Sequence, residues 1–228
     1  MKTAVCISGQ PRFGSFAFQG LVKNMLQSLD CDAFVFLWRL KGQSEDEARA
    51  LAESHIGRHI PVRGWSILEQ IDFPEKDYAK RMHAGSNIFN IQSMYYSMKM
   101  ANQLKIDYEK THGMRYDCAI RARVDASCLT PMDLTKYQPL LNDYMFVPDV
   151  PYFSGGLNDI FAFSSSENMD VMAGLYDRMD DYFYNDKVLF NPHVMLLHHL
   201  RKSQIPVAYL SAPVEIITEV STAKVLEG

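Results

Sequence analysis

"YDCAIRARVDAS", residues 116–127, reads as a buried strand that finishes on charge: Arg121, Arg123 and Asp125 recur at a spacing of two. Charges are kept out of strand cores because desolvating them costs several kcal/mol unless they are paired. Side chains alternate faces along a strand, so these three project from one face while Ala122 and Val124 project from the other. A strand of this kind places its charges at its carboxyl end, where open α/β sheets bind their ligands. Two guanidiniums there clamp phosphate in bidentate fashion or orient Asp125, and Asp125 can itself hold a divalent cation (Mn²⁺ or Mg²⁺) bridging a diphosphate. The bland alternative is an edge strand with a solvated face and an inconsequential Arg–Asp pair.

Strand and helix patterns alternate on both sides of this stretch. "TAVCISG" and "DAFVFLW" read as buried strands and "VRGWSIL" as a weaker one; "GSFAFQGLVKNMLQSL" reads as a helix. "SEDEARALAESHI" opens on Ser44 and acids, a helix start, and the long helix "NIFNIQSMYYSMKMANQLKIDYEKTHG" stops at Gly113. "YMFVPD" and "DIFAFSSS" are strands with no helix between them, which predicts an antiparallel component. One helix follows in "ENMDVMAGLYDRMDDYFY" and another in "NPHVMLLHHLRKS", with Pro192 at its start. "VAYLS" and "VEIITEV" read as closing strands. The pattern predicts an α/β fold with a mixed, mostly parallel central sheet and helices on both faces. Residues 72–88 are polar and aperiodic and read as a mobile loop covering a site.

Composition narrows the function classes. The 228 residues suit a single domain, 1–228, with a ligand-binding part over about 1–128 and a second part over about 129–220. A net charge of −4 argues against a nucleic-acid partner. No apolar run reaches the roughly 18 residues of a membrane span, and "TAVCIS" is too short for a signal peptide. Cys6, Cys31, Cys118 and Cys128 form no C-x-x-C pair and read as buried free thiols of a reducing, cytoplasmic setting (a host cytoplasm for a viral protein).

Further candidates surround the charged strand end. In "SGQPRFGS", directly after the first strand, Ser8 and Gly9 allow close backbone approach, Gln10 sits beside them and Arg12 reaches a phosphate; no P-loop is present. In "SGGLNDIFAF", Gly155 and Gly156 permit positive φ, and Asn158 and Asp159 lie where a polar turn enters a strand, with Asp159 otherwise a residue capping its own backbone. On the long helix, Ile91, Met94, Tyr95, Met98, Ala101 and Leu104 form a core face; Gln92, Tyr96 and Asn87 lie off it. Trp38 falls at the end of the second strand, as a stacking platform or a structural residue.

Four segments in this order, "CISGQPRFG", "RARVD" after "QSMYYSMKMAN", "GGLNDIFAFSSS" and "NPHVMLLHHLRKSQIPV", resemble small GT-A-type glycosyltransferase-like proteins of bacterial surface-polysaccharide clusters and of large viruses or phages. The resemblance implies a GT-A-like (Rossmann-like) fold and a nucleotide-sugar-dependent transferase taking a UDP- or GDP-type donor and a glycan or other hydroxyl acceptor. Ser8, Gly9, Gln10, Arg12, Arg121 and Arg123 would hold the donor diphosphate. Gly155, Gly156, Asn158 and Gln92 would meet sugar or acceptor, and Asp159 and Asp125 would be catalytic. A metal would sit on Asp125 and His193. The family's acidic "DxD" reads "RVD" here, with Arg123 where the first acid stands, so arginine is an alternative counter-charge to the metal. A non-catalytic nucleotide-sugar or glycan binding module, or a nucleotidyltransferase, are the rival functions; the latter lacks its lysine in "SGQPRFG".

Overall fold

The computed structural model describes residues 1–11, 17–74, 76–82, 86–149, 155–211 and 214–216. In chain order these form β1 (Lys2–Gly9), α1 (Ala17–Leu21) continuing as a π-helical turn (Val22–Leu26), β2 (Asp30–Arg39), α2 (Glu45–Ala52) and β3 (Val62–Glu69). A 3₁₀ turn (Asp77–Arg81), α3 (Ile88–His112), β4 (Cys118–Arg123), β5 (Ala126–Cys128) and β6 (Met145–Pro148) follow. The chain then forms β7 (Phe161–Ser164), α4 (Ser166–Ala173), α5 (Leu175–Tyr184), α6 (Pro192–Lys202), β8 (Val207–Leu210) and β9 (Val214–Ile216).

Seven strands make one sheet in the order β3-β2-β1-β4-β7-β6-β8. β1 pairs in parallel with β2 and β4, β2 with β3, and β6 with β8, while β7 runs antiparallel to both β4 and β6. The sheet is therefore mixed and mostly parallel, and it draws strands from both sides of residue 128. β5 and β9 form a separate two-stranded antiparallel ribbon, so "VEIITEV" does not extend the main sheet over its described residues.

The period-2 alternation divides the core. Val5, Ile7, Val35, Leu37, Ile120 and Ala122 pack under α1 and α2. Ala4, Cys6, Phe34, Phe36, Trp38 and Ala119 pack under α3 to α6. Helix boundaries follow the chemistry in the sequence. Ser44 and Glu47 close a capping box at α2, Asn87 accepts from Asn90 N–H at the start of α3, and Gly113 ends α3 at φ 58°. The four cysteines are free and buried, and burial pushes the Cys6 and Cys31 thiols up to about 12.

Two sequence expectations need correction. The segment 167–184 is not one helix: it breaks at Gly174 between α4 and α5, where glycine lowers helix propensity. Residues 77–82 are not a loose cover. Tyr78 is buried and stacked on Phe190 at 3.8 Å between ring centroids, and Phe190 N–H donates to the Arg81 carbonyl at 2.8 Å.

Under the sheet, Tyr182 O–H donates to His199 Nδ1 at 2.7 Å, and His199 Nε2–H donates to the Val171 carbonyl at 2.6 Å. Burial pushes the His199 pKa below its ordinary 6.5. The unfolded chain takes up this proton near pH 6.5 and the folded one resists it, so the stabilisation is complete above pH 6.5 and is lost as pH falls towards the folded-state value. His55 and His59 are lowered by burial and Arg58, in the same direction. Urea midpoints are expected to fall between pH 7.5 and 5.5, and to fall less in His199→Gln; an equal fall in both proteins would refute the assignment.

Candidate functional site

The residues at the carboxyl ends of β1, β2 and β4 come together because they share one face of the sheet. Ser8 extends the series Ala4, Cys6; Trp38 extends Phe34, Phe36; Arg121 and Arg123 extend Ala119. Register fixes their neighbours: Cys6 lies opposite Arg121 and Ser8 opposite Arg123. Further back these positions are apolar and fill the core; at the strand ends they become polar and line a cleft of about 440 Å³. The first turns of α3, with Asn87, Asn90, Ser93 and Ser97, and the start of α6, with Pro192 and His193, complete its walls.

Of the residues singled out in the sequence, Ser8, Gly9, Gln10, Arg121, Arg123, Asp125 and His193 line this cleft. Arg12 lies outside the described residues. Gln92 is buried and Gly155, Gly156, Asn158 and Asp159 are not part of the described lining. The glycine segment still reaches the wall indirectly. Leu157 N–H donates to the His193 carbonyl at 3.0 Å, and His193 Nδ1–H donates back to the Leu157 carbonyl at 2.8 Å, so the ring is oriented by residue 157. The two glycines do different work: Gly155 sits at φ 97° with open space around it, whereas a Cβ on Gly156 would lie 2.7 Å from the His193 carbonyl carbon.

Arg121 is 2% exposed. One guanidinium nitrogen, Nη1, donates to the Ile160 carbonyl at 2.5 Å, an oxygen that also accepts from Arg123 N–H at 3.3 Å. Burial and the neighbouring Arg123 push the Arg121 pKa down to about 10, against the opposing pull of Asp159 and Asp125, so the group stays cationic at neutral pH. Arg123 forms a bidentate fork with Asp125, Nε to Oδ1 at 2.8 Å and Nη2 to Oδ2 at 2.7 Å. Asp125 itself is 3% exposed. Tyr95 donates its hydroxyl to the Pro192 carbonyl at 2.7 Å, and its own ionisation is suppressed by burial and by Asp159.

Buried polar atoms are almost always hydrogen-bonded, and leaving one unpaired costs about 1–3 kcal/mol. Among the described residues four buried side-chain atoms have no partner: Ser8 Oγ, Trp38 Nε1, Arg121 Nε and Asn158 Nδ2. The first three belong to residues that line the cleft. The fourth belongs to the segment that closes on Arg121, since Asn158 Oδ1 accepts from Ile160 N–H at 2.8 Å and so leaves the amide nitrogen over. All four can donate a hydrogen bond; none is an obligate acceptor.

The residues present do not fit the divalent cation that the resemblance implies. Both Asp125 oxygens accept from Arg123, and no group of three or more His, Cys, Asp or Glu among the described residues is placed to hold a metal. Trp38, open as platform or structural residue, is buried, and its ring stacks on Tyr96 at 5.5 Å. The polar wall Asn90, Ser93, Ser97 was not singled out from the sequence. Its signal is a run of small polar side chains at three- and four-residue spacing beside the apolar stripe of the same helix.

No helix among the described residues is long and apolar enough to cross a membrane. Neither a protein-family model nor a curated protein sequence matches the chain. Among solved structures it is similar to the glycosyltransferase GlyE of Streptococcus pneumoniae TIGR4, with a TM-score of 0.48 and 12% identity. The apo form of GlyE gives 0.47 and 14%. Each similarity covers 91% of this chain and 45% of GlyE, so the chain spans less than half the length of that protein.

Proposed function

We propose that the protein is a nucleotide-sugar-dependent glycosyltransferase whose cleft holds the donor diphosphate. The observation that carries this reading is the concentration of unpartnered donors and two guanidiniums at the ends of β1, β2 and β4. An acceptor-rich anion satisfies such a lining. In the reaction an acceptor hydroxyl oxygen bonds to the anomeric carbon and the bond from that carbon to the diphosphate oxygen breaks. The electron pair leaves on the nucleoside diphosphate. Arg121 and Arg123 lower the barrier by meeting that charge as it develops. Asp159 is assigned the acceptor's proton: its charge acts on Arg121 and Tyr95, and no hydrogen bond to a described residue ties it elsewhere.

Release of nucleoside diphosphate from UDP- and GDP-sugars, with a panel of glycan acceptors, tests the proposal. Turnover is expected, and Asp159→Asn is expected to lower kcat at least about 100-fold, the usual worth of a general base, while nucleotide affinity holds. Nucleotide-sugar binding without release for any acceptor would favour the non-catalytic binding module.

A further inference from the structure

We infer that the cleft takes its diphosphate as a bare anion, neutralised by arginine and by neutral N–H and O–H donors, with no divalent cation bridging it. This rests on the reading of the cleft as a diphosphate seat; it does not depend on sugar transfer.

Three independent features point the same way. A bridging cation needs lone pairs from the protein, yet on the cleft lining the unpartnered Trp38 Nε1 and Arg121 Nε can only donate hydrogens, and Ser8 Oγ can add a third; these suit phosphate oxygens directly. Asp125 is the carboxylate on the described lining, and its two oxygens are engaged by the Arg123 fork. A cation there would have to break a charge-assisted bidentate pair of a 3% exposed residue. Charge supplies the third feature: Arg121 and Arg123 outnumber Asp125 on the described lining, so a dication would enter against two guanidiniums, whereas a diphosphate is attracted to them; Asp159, off that lining, offsets only part of this charge. Arg121 makes this acute, being buried, cationic and without an ion pair to a described carboxylate. Asp125 then acts as a positioning residue that fixes the plane of Arg123.

Isothermal titration of the full chain with inorganic pyrophosphate, in EDTA and again with Mn²⁺, tests the inference. Binding in EDTA is expected, and Arg121→Gln should weaken it roughly 10–100-fold, the value of hydrogen bonds to a charged group. Trp38→Phe keeps the ring and removes only the N–H, and should weaken binding several-fold even if Arg121→Gln folds poorly. Mn²⁺ alone, followed by its EPR signal, should remain free in the presence of the protein. Heat seen only with Mn²⁺, heat in neither condition, or affinity unchanged in both variants would overturn the inference. Pyrophosphate binding in EDTA without sugar transfer would instead remove the transferase reading and leave the inference standing.

Discussion

Replacing Lys105 with methionine is expected to destabilise the protein by about 3–5 kcal/mol, the range for removing one partner of a buried ion pair. Lys105 is fully buried on α3, and Glu109, one turn on, is 3% exposed. Its ammonium contacts Glu109 Oε2 at 3.2 Å and Asp170 Oδ1 at 2.8 Å, and donates to Ser166 Oγ. Asp170 also pairs with Arg115 and accepts from Asn102, so the cluster joins α3 to α4. Methionine matches the stem in volume, so the loss is electrostatic: Glu109 and Asp170 are left with one cation fewer in a poorly solvated place. The double variant Lys105→Met/Glu109→Gln should recover a large part of the loss, because the coupling within a buried pair is strongly non-additive. Urea denaturation of the two variants decides it; a single-variant loss under about 1 kcal/mol would mean that the network is solvated.

Gly156→Ala is expected to lower stability by about 1–3 kcal/mol through overpacking and turnover by up to about 100-fold through misplacement of the site. The added methyl would meet the His193 main chain and, closer still, its Cβ. Main-chain atoms at the start of a helix cannot swing aside, so α6 must shift and carry His193 out of the cleft wall. Gly155→Ala is the matched control. There nothing lies within 4 Å of the added atom, and the penalty is the positive φ of 97° alone, about 1 kcal/mol. Thermal melts and pyrophosphate titrations of both variants separate the cases; equal behaviour would remove the steric claim.

The charged end of β4 was legible because two arginines at a spacing of two in an apolar run have few innocent explanations. Strand alternation then placed them on the face opposite Ala122, as observed, whereas Val124, past the end of β4, packs in the core and also borders the cleft. The Arg123–Asp125 fork was not legible as a closed pair, because spacing fixes a shared face but not whether two side chains reach each other or a third ion. The unpartnered state of Ser8, Trp38 and Asn158 was equally hidden: it depends on what surrounds each atom in space. Nothing in the sequence marks Lys105 as buried, since its acids sit one turn away and on another helix. Tyr78 lay in a stretch with no periodicity, and its anchoring comes from Phe190, more than a hundred residues later.

β4 is bonded to β1 on one side and β7 on the other, and the Ile160 carbonyl just before β7 receives both Arg121 and Arg123. A nascent chain released only as far as residue 128 would carry Arg121 on a strand with one neighbour and no oxygen to aim its guanidinium, while Arg123 would already have Asp125. The proposed anion seat is thus completed only once the return strand and the start of α6 have emerged. Shortened fragments ending before residue 160 should gain no protection from the ligand of the whole chain.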